Sequence, residues 1–282
     1  MCTHCGCGND TEHVLLDLQT GEHVHADGTR HSHAHDHHAD HHYHHDHHHD
    51  APRPAEIVAL ETRLLAKNEV LADANRAWFA ARGILALNLV SAPGAGKTSL
   101  LERTVVALGR ERALCVIEGD QATALDGERI RKAGAPAVQV NTGAGCHLEA
   151  DMVRRGLDAL QPAPGSIVLI ENVGNLVCPA LFDLGERAKV AVLSVTEGDD
   201  KPLKYPHMFR AAELVLISKA DLLPYLDIDV ARLIANLRAV NPGARVLTIS
   251  ARSGEGLEDW YGWLRETARA AGCDIPSGTP PR

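Results

Sequence analysis

The run Ser-Ala-Pro-Gly-Ala-Gly-Lys-Thr at residues 91–98 has the composition of a phosphate-binding loop. Glycines allow consecutive backbone N–H groups to turn towards an anion, and a following helix adds its positive amino-terminal end. Lys97 would reach the outer phosphates, and the Thr98 hydroxyl would bind Mg²⁺. The usual pattern has glycine where this chain has Ser91. The residues expected to contact the nucleotide in this loop are Gly94, Ala95, Gly96, Lys97, Thr98 and Ser99.

Two acidic motifs come directly after apolar, strand-like runs. Asp120 lies in Glu-Gly-Asp-Gln and could approach magnesium or the attacking water, although acids in such loops also cap helices. Glu171 ends an apolar run and precedes Gly174 by three residues, as in the second motif of phosphate-binding-loop enzymes, where aspartate is usual. We expect Asp120 and Glu171 to complete the magnesium shell around Thr98. Lys97 and Asp120 are the expected catalytic residues, and the Gly174 N–H should contact the terminal phosphate.

A third motif, Ser-Lys-Ala-Asp at residues 218–221, follows another apolar run. GTP-hydrolysing enzymes commonly carry Asn-Lys-x-Asp here: the aspartate accepts two hydrogen bonds from the guanine edge, and the lysine stem lies over the base. Lys219 and Asp221 are present, whereas serine replaces the asparagine. Ser250 and Ala251, after the last predicted strand, resemble the final guanine-binding motif. Together these four residues favour GTP over ATP.

Three cysteines and a histidine are crowded into the amino-terminal run Cys-Thr-His-Cys-Gly-Cys. Cys2, Cys5 and Cys7 would supply soft thiolates close enough to bind one ion, either Ni²⁺ in a planar site or Zn²⁺ in a tetrahedral one. The spacing does not decide the metal geometry, and a redox-active dithiol is the alternative. Since the other cysteines are scattered and the total of seven is odd, we expect no disulfide framework and a cytoplasmic protein with reduced thiols.

A histidine-rich tract follows, in which 12 histidines are interleaved with aspartates. Several imidazoles on one flexible chain bind borderline ions such as Ni²⁺, Zn²⁺ or Cu²⁺ with moderate affinity. The tract is irregular and internal, unlike a cloning tag. We expect low-affinity metal storage by His31, His33, His35, His37, His38, His41, His42, His44, His45, His47, His48 and His49.

A second candidate metal site begins with the adjacent pair Cys146 and His147, which follows a glycine-rich turn after a predicted strand. Two ligands rarely complete a metal site, so a third ligand is needed. Cys178 lies four residues beyond Gly174, in the segment that should move when the terminal phosphate is lost. A single buried cysteine is usually inert packing. The position of Cys178 next to the nucleotide motifs nevertheless predicts that it joins the pair.

Composition divides the chain near Asp50. Sixteen of the 18 histidines lie in the first 49 of 282 residues, and this polar region has too few apolar residues to fold alone without metal. The hydrophobic content of 45% allows one large domain in the remainder. The formal net charge of -9 gives no support for nucleic-acid binding. We expect no signal peptide and no membrane contact, because no apolar run has the necessary length.

Beyond residue 84, apolar strand-like runs alternate with runs of helical periodicity. Strands are predicted at Ile84–Val90, Ala113–Glu118, Ala137–Asn141, Ser166–Glu171, Lys189–Val195, Leu214–Ser218 and Arg245–Ser250. Helices are predicted at about Ala55–Ala81 and at Ala122–Lys132, Leu148–Leu160, Val230–Val240 and Leu257–Ala271. This alternation predicts an α/β fold of the P-loop NTPase type, with a mostly parallel seven-stranded sheet flanked by helices and ligands at the carboxyl ends of the strands.

The expected organisation has four parts. Residues 1–50 would form a Cys/His-rich, largely disordered metal-binding extension, and residues 51–83 a linker and helix. Residues 84–272 would form the GTPase domain, and residues 273–282 a flexible tail.

Jointly, these motifs resemble the hydrogenase nickel-incorporation GTPases, the HypB family of hydrogenase maturation factors, over nearly the whole chain. The resemblance implies a cytoplasmic GTPase with GTP, Mg²⁺, Ni²⁺ and Zn²⁺ as cofactors, which dimerises when GTP is bound. It also implies two partners: a small zinc-containing nickel metallochaperone and the precursor of the nickel-iron hydrogenase large subunit. The resemblance further implies that Cys2, Cys5 and Cys7 bind nickel with high affinity. It also implies that Cys146 and His147 form a nickel or zinc site at the dimer interface, with Cys178 as a further ligand.

Two other functions remain open. The related urease accessory GTPases also deliver nickel, but they usually carry Cys-Pro-His where this chain has adjacent cysteine and histidine, and they lack the amino-terminal cysteine cluster. A nickel or zinc storage protein, whose nucleotide domain serves only assembly, is the alternative that is not an enzyme. Release of phosphate from GTP distinguishes the enzyme from the storage protein.

Overall fold

The structure is a computed structural model that describes residues 15–17, 22–24, 30–31, 54–120, 125–143 and 145–273, with side chains from residue 62 onward. The strands are β1 (Leu15–Asp17), β2 (Glu22–Val24), β3 (Arg30–His31), β4 (Leu85–Ser91), β5 (Leu114–Asp120), β6 (Ala137–Asn141), β7 (Ile167–Glu171), β8 (Ala188–Ser194), β9 (Ala212–Ser218) and β10 (Arg245–Thr248).

The helices are α1 (Pro54–Ala81), α2 (Lys97–Leu108), α3 (Leu125–Ala133), α4 (Ala150–Leu160), α5 (Cys178–Leu181), α6 (Lys201–Lys204), α7 (Pro206–Ala211), α8 (Val230–Val240) and α9 (Leu257–Ala270). Two 3₁₀ helices span Val195–Glu197 and Ala220–Tyr225. No helix in the described ranges is both long and apolar enough to cross a bilayer.

Strands β4 to β10 form a parallel sheet in the order β10-β9-β8-β4-β7-β5-β6. This confirms the predicted seven-stranded parallel sheet, and each strand lies within about two residues of its predicted position. The prediction succeeds because most of these strands are buried on both faces and therefore read as short continuous apolar runs.

The sheet continues beyond β6 with three short strands that the sequence does not predict. Strand β1 pairs antiparallel with β6, β2 pairs with β1, and β3 pairs with β2. Without β1, strand β6 would be a sheet edge with unpaired backbone N–H and C=O groups, which readily accept another strand. Eight residues of the predicted metal-binding extension, residues 1–50, thus belong to β1, β2 and β3, and the rest of that extension lies outside the described residues.

Helices cover both faces of the parallel sheet. On one face α2, α3 and α9 pack on the odd residues of β4, such as Leu85, Leu87 and Leu89. On the other face α1, α4, α7 and α8 pack on alternate residues, with Val90 among them. Because side chains alternate along a strand, the two faces build separate apolar cores: among the described residues, one cluster lies on the α2 side and two lie on the other face.

Helix α1, whose predicted bounds are confirmed, is joined to the start of α4 by buried amides. The Asn68 Oδ1 accepts a hydrogen bond from the Ala150 N–H at 2.8 Å, and the Asn75 Nδ2 donates to the Ala150 carbonyl oxygen at 2.8 Å. These bonds fix the amino-terminal end of α4, which begins three residues after His147.

Helix α9 fixes α2, the helix that begins at Lys97. Trp260 is fully buried and donates a hydrogen bond from its indole Nε1 to the Thr104 Oγ1 at 2.9 Å. Tyr261 donates from its hydroxyl to the Arg103 carbonyl oxygen at 3.1 Å. The position of the phosphate-binding loop therefore depends on packing between two helices that are far apart in sequence.

Replacing Trp260 with Ala should lower the free energy of unfolding by about 3–5 kcal/mol, because it opens a large cavity between α2 and α9. Urea denaturation followed by circular dichroism measures the change. Val106→Ala is the control: this side chain on α2 is 66% exposed, so the change should stay within about 0.5 kcal/mol. Equal losses in the two variants would contradict this account of the core.

Candidate nucleotide and metal sites

The loop between β4 and α2 has the backbone conformation that its glycines allow. Gly94 and Gly96 have φ values of 71° and 98°, in the left-handed region that residues with a Cβ rarely adopt. Helix α2 begins directly after Gly96, so its amino-terminal N–H groups belong to this loop. The loop lines a cavity of about 500 Å³, to which the predicted residues Gly94, Ala95, Gly96, Lys97, Thr98 and Ser99 all contribute.

Lys97 is buried and donates a hydrogen bond from its Nζ to the Ser91 Oγ at 2.7 Å. Burial lowers the pKa of Lys97, and the nearby Glu171 carboxylate opposes that shift. Ser91, where the usual motif has glycine, thus supplies a polar partner to the lysine within the protein. This hydrogen bond from Lys97 to Ser91 keeps the lysine ammonium group at the cavity.

Glu171 and Thr98 connect the end of β7 to the start of α2. The Thr98 hydroxyl donates to the Glu171 Oε1 at 2.7 Å, and both residues line the cavity. Burial raises the pKa of Glu171 to about 7, against the lowering effects of Lys97 and Thr98. The apolar run and the acid of the second motif therefore converge on the phosphate-binding loop in the described structure.

Glu118 is a cavity residue that the sequence reading did not select. It is 3% exposed and lies beside Glu171 in the pairing of β5 with β7. Burial, together with Glu171 and other nearby acids, raises the pKa of Glu118 to about 9. The alternation of a strand was the signal that could have found it, because Glu118 and Asp120 project from the same face of β5.

The acids at this edge of the sheet fit a magnesium ion. Among the described residues, the Oε2 atoms of Glu118 and Glu171 are buried without a hydrogen-bond partner. Asp120, the last residue of β5, also lines the cavity. These carboxylates and the Thr98 hydroxyl are the hard oxygen ligands that Mg²⁺ prefers.

Helix α3 brings a second basic residue, Arg129, to the cavity. Its guanidinium donates to both carboxylate oxygens of Glu102 at 3.1 and 2.6 Å, to the Asp126 Oδ1 at 3.0 Å and to the Ser99 Oγ at 3.1 Å. Sequence alone could not find Arg129, because its role depends on how α3 packs against α2. The arginine ties α3 to the residue that follows Thr98.

The two predicted guanine-binding motifs meet beside the loop. The Ser218 Oγ donates to the Ala95 carbonyl oxygen at 2.7 Å, and Lys219, with a φ of 60°, lines the cavity. The Ser250 Oγ donates to the Asp221 Oδ1 at 2.6 Å. Asp221, Ser250 and the adjacent Ala251 lie outside the lining of the 500 Å³ cavity, whereas Gly174 lies within it.

Cys146, His147 and Cys178 come together in the segments that follow β6 and β7. Their ligand atoms all lie within 4.8 Å of one another. The two sulfurs are 2.9 Å apart, and the Cys146 sulfur is 3.7 Å from the His147 Nδ1. The His147 ring is 4% exposed and packs on Phe182, with ring centroids 3.9 Å apart. Two thiols and one imidazole are suitable ligands for Ni²⁺ or Zn²⁺.

The amino-terminal metal candidates cannot be placed in the same way. Cys2, Cys5, Cys7 and the histidines from His33 to His49 lie outside the described residues. His31 belongs to β3, where only the backbone is described.

Comparison with known proteins identifies the family. The model of the CobW/HypB/UreG nucleotide-binding domain matches residues 85–248, more than half of the chain. The hydrogenase maturation factor HypB of Azotobacter chroococcum is 58% identical over 210 residues, which span 74% of this chain and 69% of that protein. The chain belongs to the HypB family. The family member from Cupriavidus necator is 44% identical over 326 residues, which span 97% of this chain and 90% of that protein.

Solved structures of HypB proteins share the fold. The crystal structure of HypB from Helicobacter pylori in complex with nickel superposes with a TM-score of 0.68 at 37% identity, covering 76% of this chain and all of that one. HypB from Archaeoglobus fulgidus gives a TM-score of 0.68 at 40% identity, covering 72% of this chain and all of that one. The predicted resemblance to the HypB family is confirmed.

The raised pKa of Glu118 predicts a pH-dependent stability of the protein without nucleotide or divalent cations. Between the ordinary value near 4.5 and the folded-state value of about 9, unfolding releases a proton from this carboxyl group. The free energy of unfolding should therefore fall as pH rises through this window, by at most about 1.4 kcal/mol per pH unit from Glu118. Below about pH 4.5 the carboxyl group is protonated in both states and contributes no slope.

Urea denaturation at about pH 6 and about pH 8 measures this slope, since both values lie within the window. Glu118→Gln should reduce the slope, because glutamine does not ionise, while Glu171, whose pKa is also raised, keeps part of it at the acidic end of this range. Glu258→Gln is the control: that side chain is 85% exposed, and its replacement should leave the slope unchanged. An unchanged slope in Glu118→Gln would contradict the assignment.

Proposed function

We propose that this chain hydrolyses GTP and carries nickel for the maturation of nickel-iron hydrogenase. The observation that carries the proposal is the course of residues 171–178, here called the linking segment. It begins at Glu171, which accepts the hydrogen bond from Thr98, and ends at Cys178, whose sulfur lies 2.9 Å from that of Cys146. A nucleotide site and a metal site thus share one short segment, as a switch requires.

For hydrolysis, Lys97 neutralises the β and γ phosphates and Thr98 binds the magnesium ion. Asp120 and Glu171 complete the magnesium site or orient the attacking water, and Gly174 contacts the terminal phosphate through its N–H. Bound Mg²⁺ supplies charge neutralisation on the phosphates. Burial of Lys97 and Glu171 strengthens the electrostatic interactions at the site, because the surroundings contain little water.

For nucleotide choice, Asp221 reads the guanine edge and the stem of Lys219 lies over the base. Ser218 takes part through the loop, because its hydroxyl bonds to the Ala95 carbonyl oxygen. The Ser250 hydroxyl orients the Asp221 carboxylate by donating to it, and Ala251 completes the base site. These contacts support GTP as the substrate.

The transported ion is Ni²⁺ or Zn²⁺, held by Cys146, His147 and Cys178 until hydrolysis relaxes the linking segment. The second metal region comprises Cys2, Cys5 and Cys7, which bind nickel with high affinity. The histidine-rich tract from His31 to His49 stores further ions at lower affinity. Both amino-terminal roles follow from residue chemistry and family membership alone.

The partners follow from the family. Relatives carry the name hydrogenase maturation factor, and one from Helicobacter pylori is named a hydrogenase/urease maturation factor. We propose a GTP-dependent homodimer, a small zinc-containing metallochaperone that exchanges nickel with it, and the hydrogenase large-subunit precursor as recipient, all in the cytoplasm. The exposed apolar side chains of Val177 and Leu181, beside the thiol cluster, support a protein interface there.

Lys97→Ala tests the nucleotide site directly. The variant should release phosphate from GTP at least about 10²-fold more slowly, because it loses a buried charge aimed at the phosphates, and the wild-type chain should release little from ATP. Metal binding by the amino-terminal segment should persist. Lys204→Ala is the control, since that exposed lysine lies on α6 away from the cavity. If the wild-type chain hydrolyses neither nucleotide, a metal-storage protein is the better description.

Cys178→Ala tests the metal site in full-length protein that also carries Cys2→Ala, Cys5→Ala and Cys7→Ala. Affinity for Ni²⁺, measured by competition with a chelator, should fall by at least about 10-fold. Loss of a group that only hydrogen-bonds to a metal ligand already lowers metal affinity by about 10–100-fold, so loss of a ligand itself should have no smaller effect. The thiolate-to-nickel absorption band should weaken as well. Cys115→Ala is the control, because that cysteine is buried in β5 outside the cluster. Unchanged affinity in Cys178→Ala would show that Cys178 is not a ligand of the ion.

A further inference from the structure

The linking segment contacts the phosphate-binding loop at two points. The first is the hydrogen bond from Thr98 to Glu171. The second is a close backbone approach: a Cβ added at Gly174 would lie 2.8 Å from the Pro93 Cα and 2.9 Å from the Pro93 backbone nitrogen. Only glycine allows this approach, so the linking segment lies directly against the loop.

Asn172, one residue beyond Glu171, extends the contact to the metal pair. It is 1% exposed, and its Oδ1 accepts hydrogen bonds from the backbone N–H groups of Leu148 and Val173, both at 3.0 Å. Leu148 immediately follows His147. The Asn172 side chain, directly after Glu171, therefore connects the linking segment to Leu148, which directly follows the candidate metal ligand His147.

Leu148 also touches the first acidic motif. A Cβ added at Gly119 would lie 2.7 Å from the Leu148 Cγ and 2.9 Å from both of its Cδ atoms. The leucine side chain consequently rests on the backbone between Glu118 and Asp120. Leu148 therefore contacts β5 through its side chain and the linking segment through its backbone N–H.

The orientation of the Asn172 amide is determined by a chain of buried partners. Its Nδ2 donates to the Asn88 Oδ1 at 3.3 Å, and the Asn88 Nδ2 donates to the Glu186 Oε1 at 3.1 Å. That same oxygen pairs with the Lys189 Nζ at 2.7 Å. Because the carboxylate only accepts and the Leu148 N–H only donates, reversing either amide would bring like partners together.

We infer that Asn172 is a positioning residue that transmits the nucleotide state of the cavity to the Cys146–His147 loop through the Leu148 N–H. The inference rests on the proposed function, in which hydrolysis moves the linking segment. When that segment moves, Asn172 either displaces Leu148 with it or leaves a buried N–H without a partner, which is energetically costly. His147 moves with Leu148, so the geometry of the metal ligands changes.

The test compares nickel affinity in two nucleotide states. Full-length protein carrying Cys2→Ala, Cys5→Ala and Cys7→Ala is titrated with Ni²⁺ against a chelator, with GDP or with a non-hydrolysable GTP analogue. The thiolate-to-nickel absorption band reports the Cys146–Cys178 cluster. Asn172→Ala should bring the ratio of the two affinities to within about twofold of one, whereas the parent should show a clearly larger ratio, since typical couplings are about 5–150-fold.

Asn68→Ala is the matched control. Asn68 is also a buried asparagine that accepts a hydrogen bond from a backbone N–H near the metal pair, that of Ala150 at 2.8 Å. It belongs to α1 and has no contact with the linking segment among its hydrogen bonds. Its replacement should keep the parent's ratio of affinities, even if both affinities fall.

The possible outcomes test two claims separately: nucleotide control of the metal site, and its transmission through Asn172. A parent ratio of one contradicts nucleotide control of this metal site and, with it, the inference. A parent ratio that persists in Asn172→Ala overturns the inference alone and leaves the proposed function intact. Equal collapse in Asn172→Ala and Asn68→Ala also overturns it, because general loosening of the loop would then explain the loss.

Hydrogen exchange gives a second measurement if Asn172→Ala does not fold. In the otherwise unmodified full-length chain, the Leu148 amide should exchange at different rates with GDP and with the GTP analogue, while the Ala150 amide bonded to Asn68 should not. Equal protection of Leu148 in the two states would contradict transmission through this bond.

Discussion

The hydrogen bond between Thr98 and Glu171 is the interaction on which the rest of the site depends. It joins the first turn of α2 to the end of β7, and it lies among charges that burial disfavours. Burial raises the pKa of Glu171 and lowers that of Lys97, while each charge opposes the shift of the other. Burial alone would disfavour the charged form of either Glu171 or Lys97. The ends of β4 and β7 must therefore stay in register for each charge to stabilise the other.

The sheet order explains why these groups meet. From β4 the chain builds β5, β6 and β7 on one side and β8, β9 and β10 on the other, so the direction of the strand order changes beside β4. A crevice opens at the carboxyl ends of the strands where such a change occurs. The phosphate-binding loop and Lys219 follow strands that end there, and the acids lie in the last residues of β5 and β7. The candidate metal ligands Cys146, His147 and Cys178 lie at the same edge because their two segments follow β6 and β7.

Much of the architecture could be predicted from the sequence, because buried parallel strands are short apolar runs separated by helical periods. The phosphate-binding loop was equally clear from Gly94, Gly96 and Lys97. What sequence could not supply were contacts between distant residues: the Ser218 bond to Ala95 and the packing that brings Arg129 to the cavity. The three departures from the usual motifs, Ser91, Glu171 and Ser218, all have hydrogen-bond partners inside the site, which only three-dimensional placement reveals.

The thiol cluster is made from two loops, and this origin makes it sensitive to their separation. The two sulfurs lie 2.9 Å apart in this structure. An ion bound by two thiolates at about 2.3 Å each separates the sulfurs by about 3.3 Å at a right angle and about 3.8 Å at the tetrahedral angle. Binding of such an ion would therefore move the two sulfurs apart by about 0.4–0.9 Å, by rotation of the cysteine side chains or by separation of the loops after β6 and β7. Because Asn172 joins those same loops through Leu148, any change in the separation of the loops acts on the hydrogen bond between the Leu148 N–H and the Asn172 Oδ1.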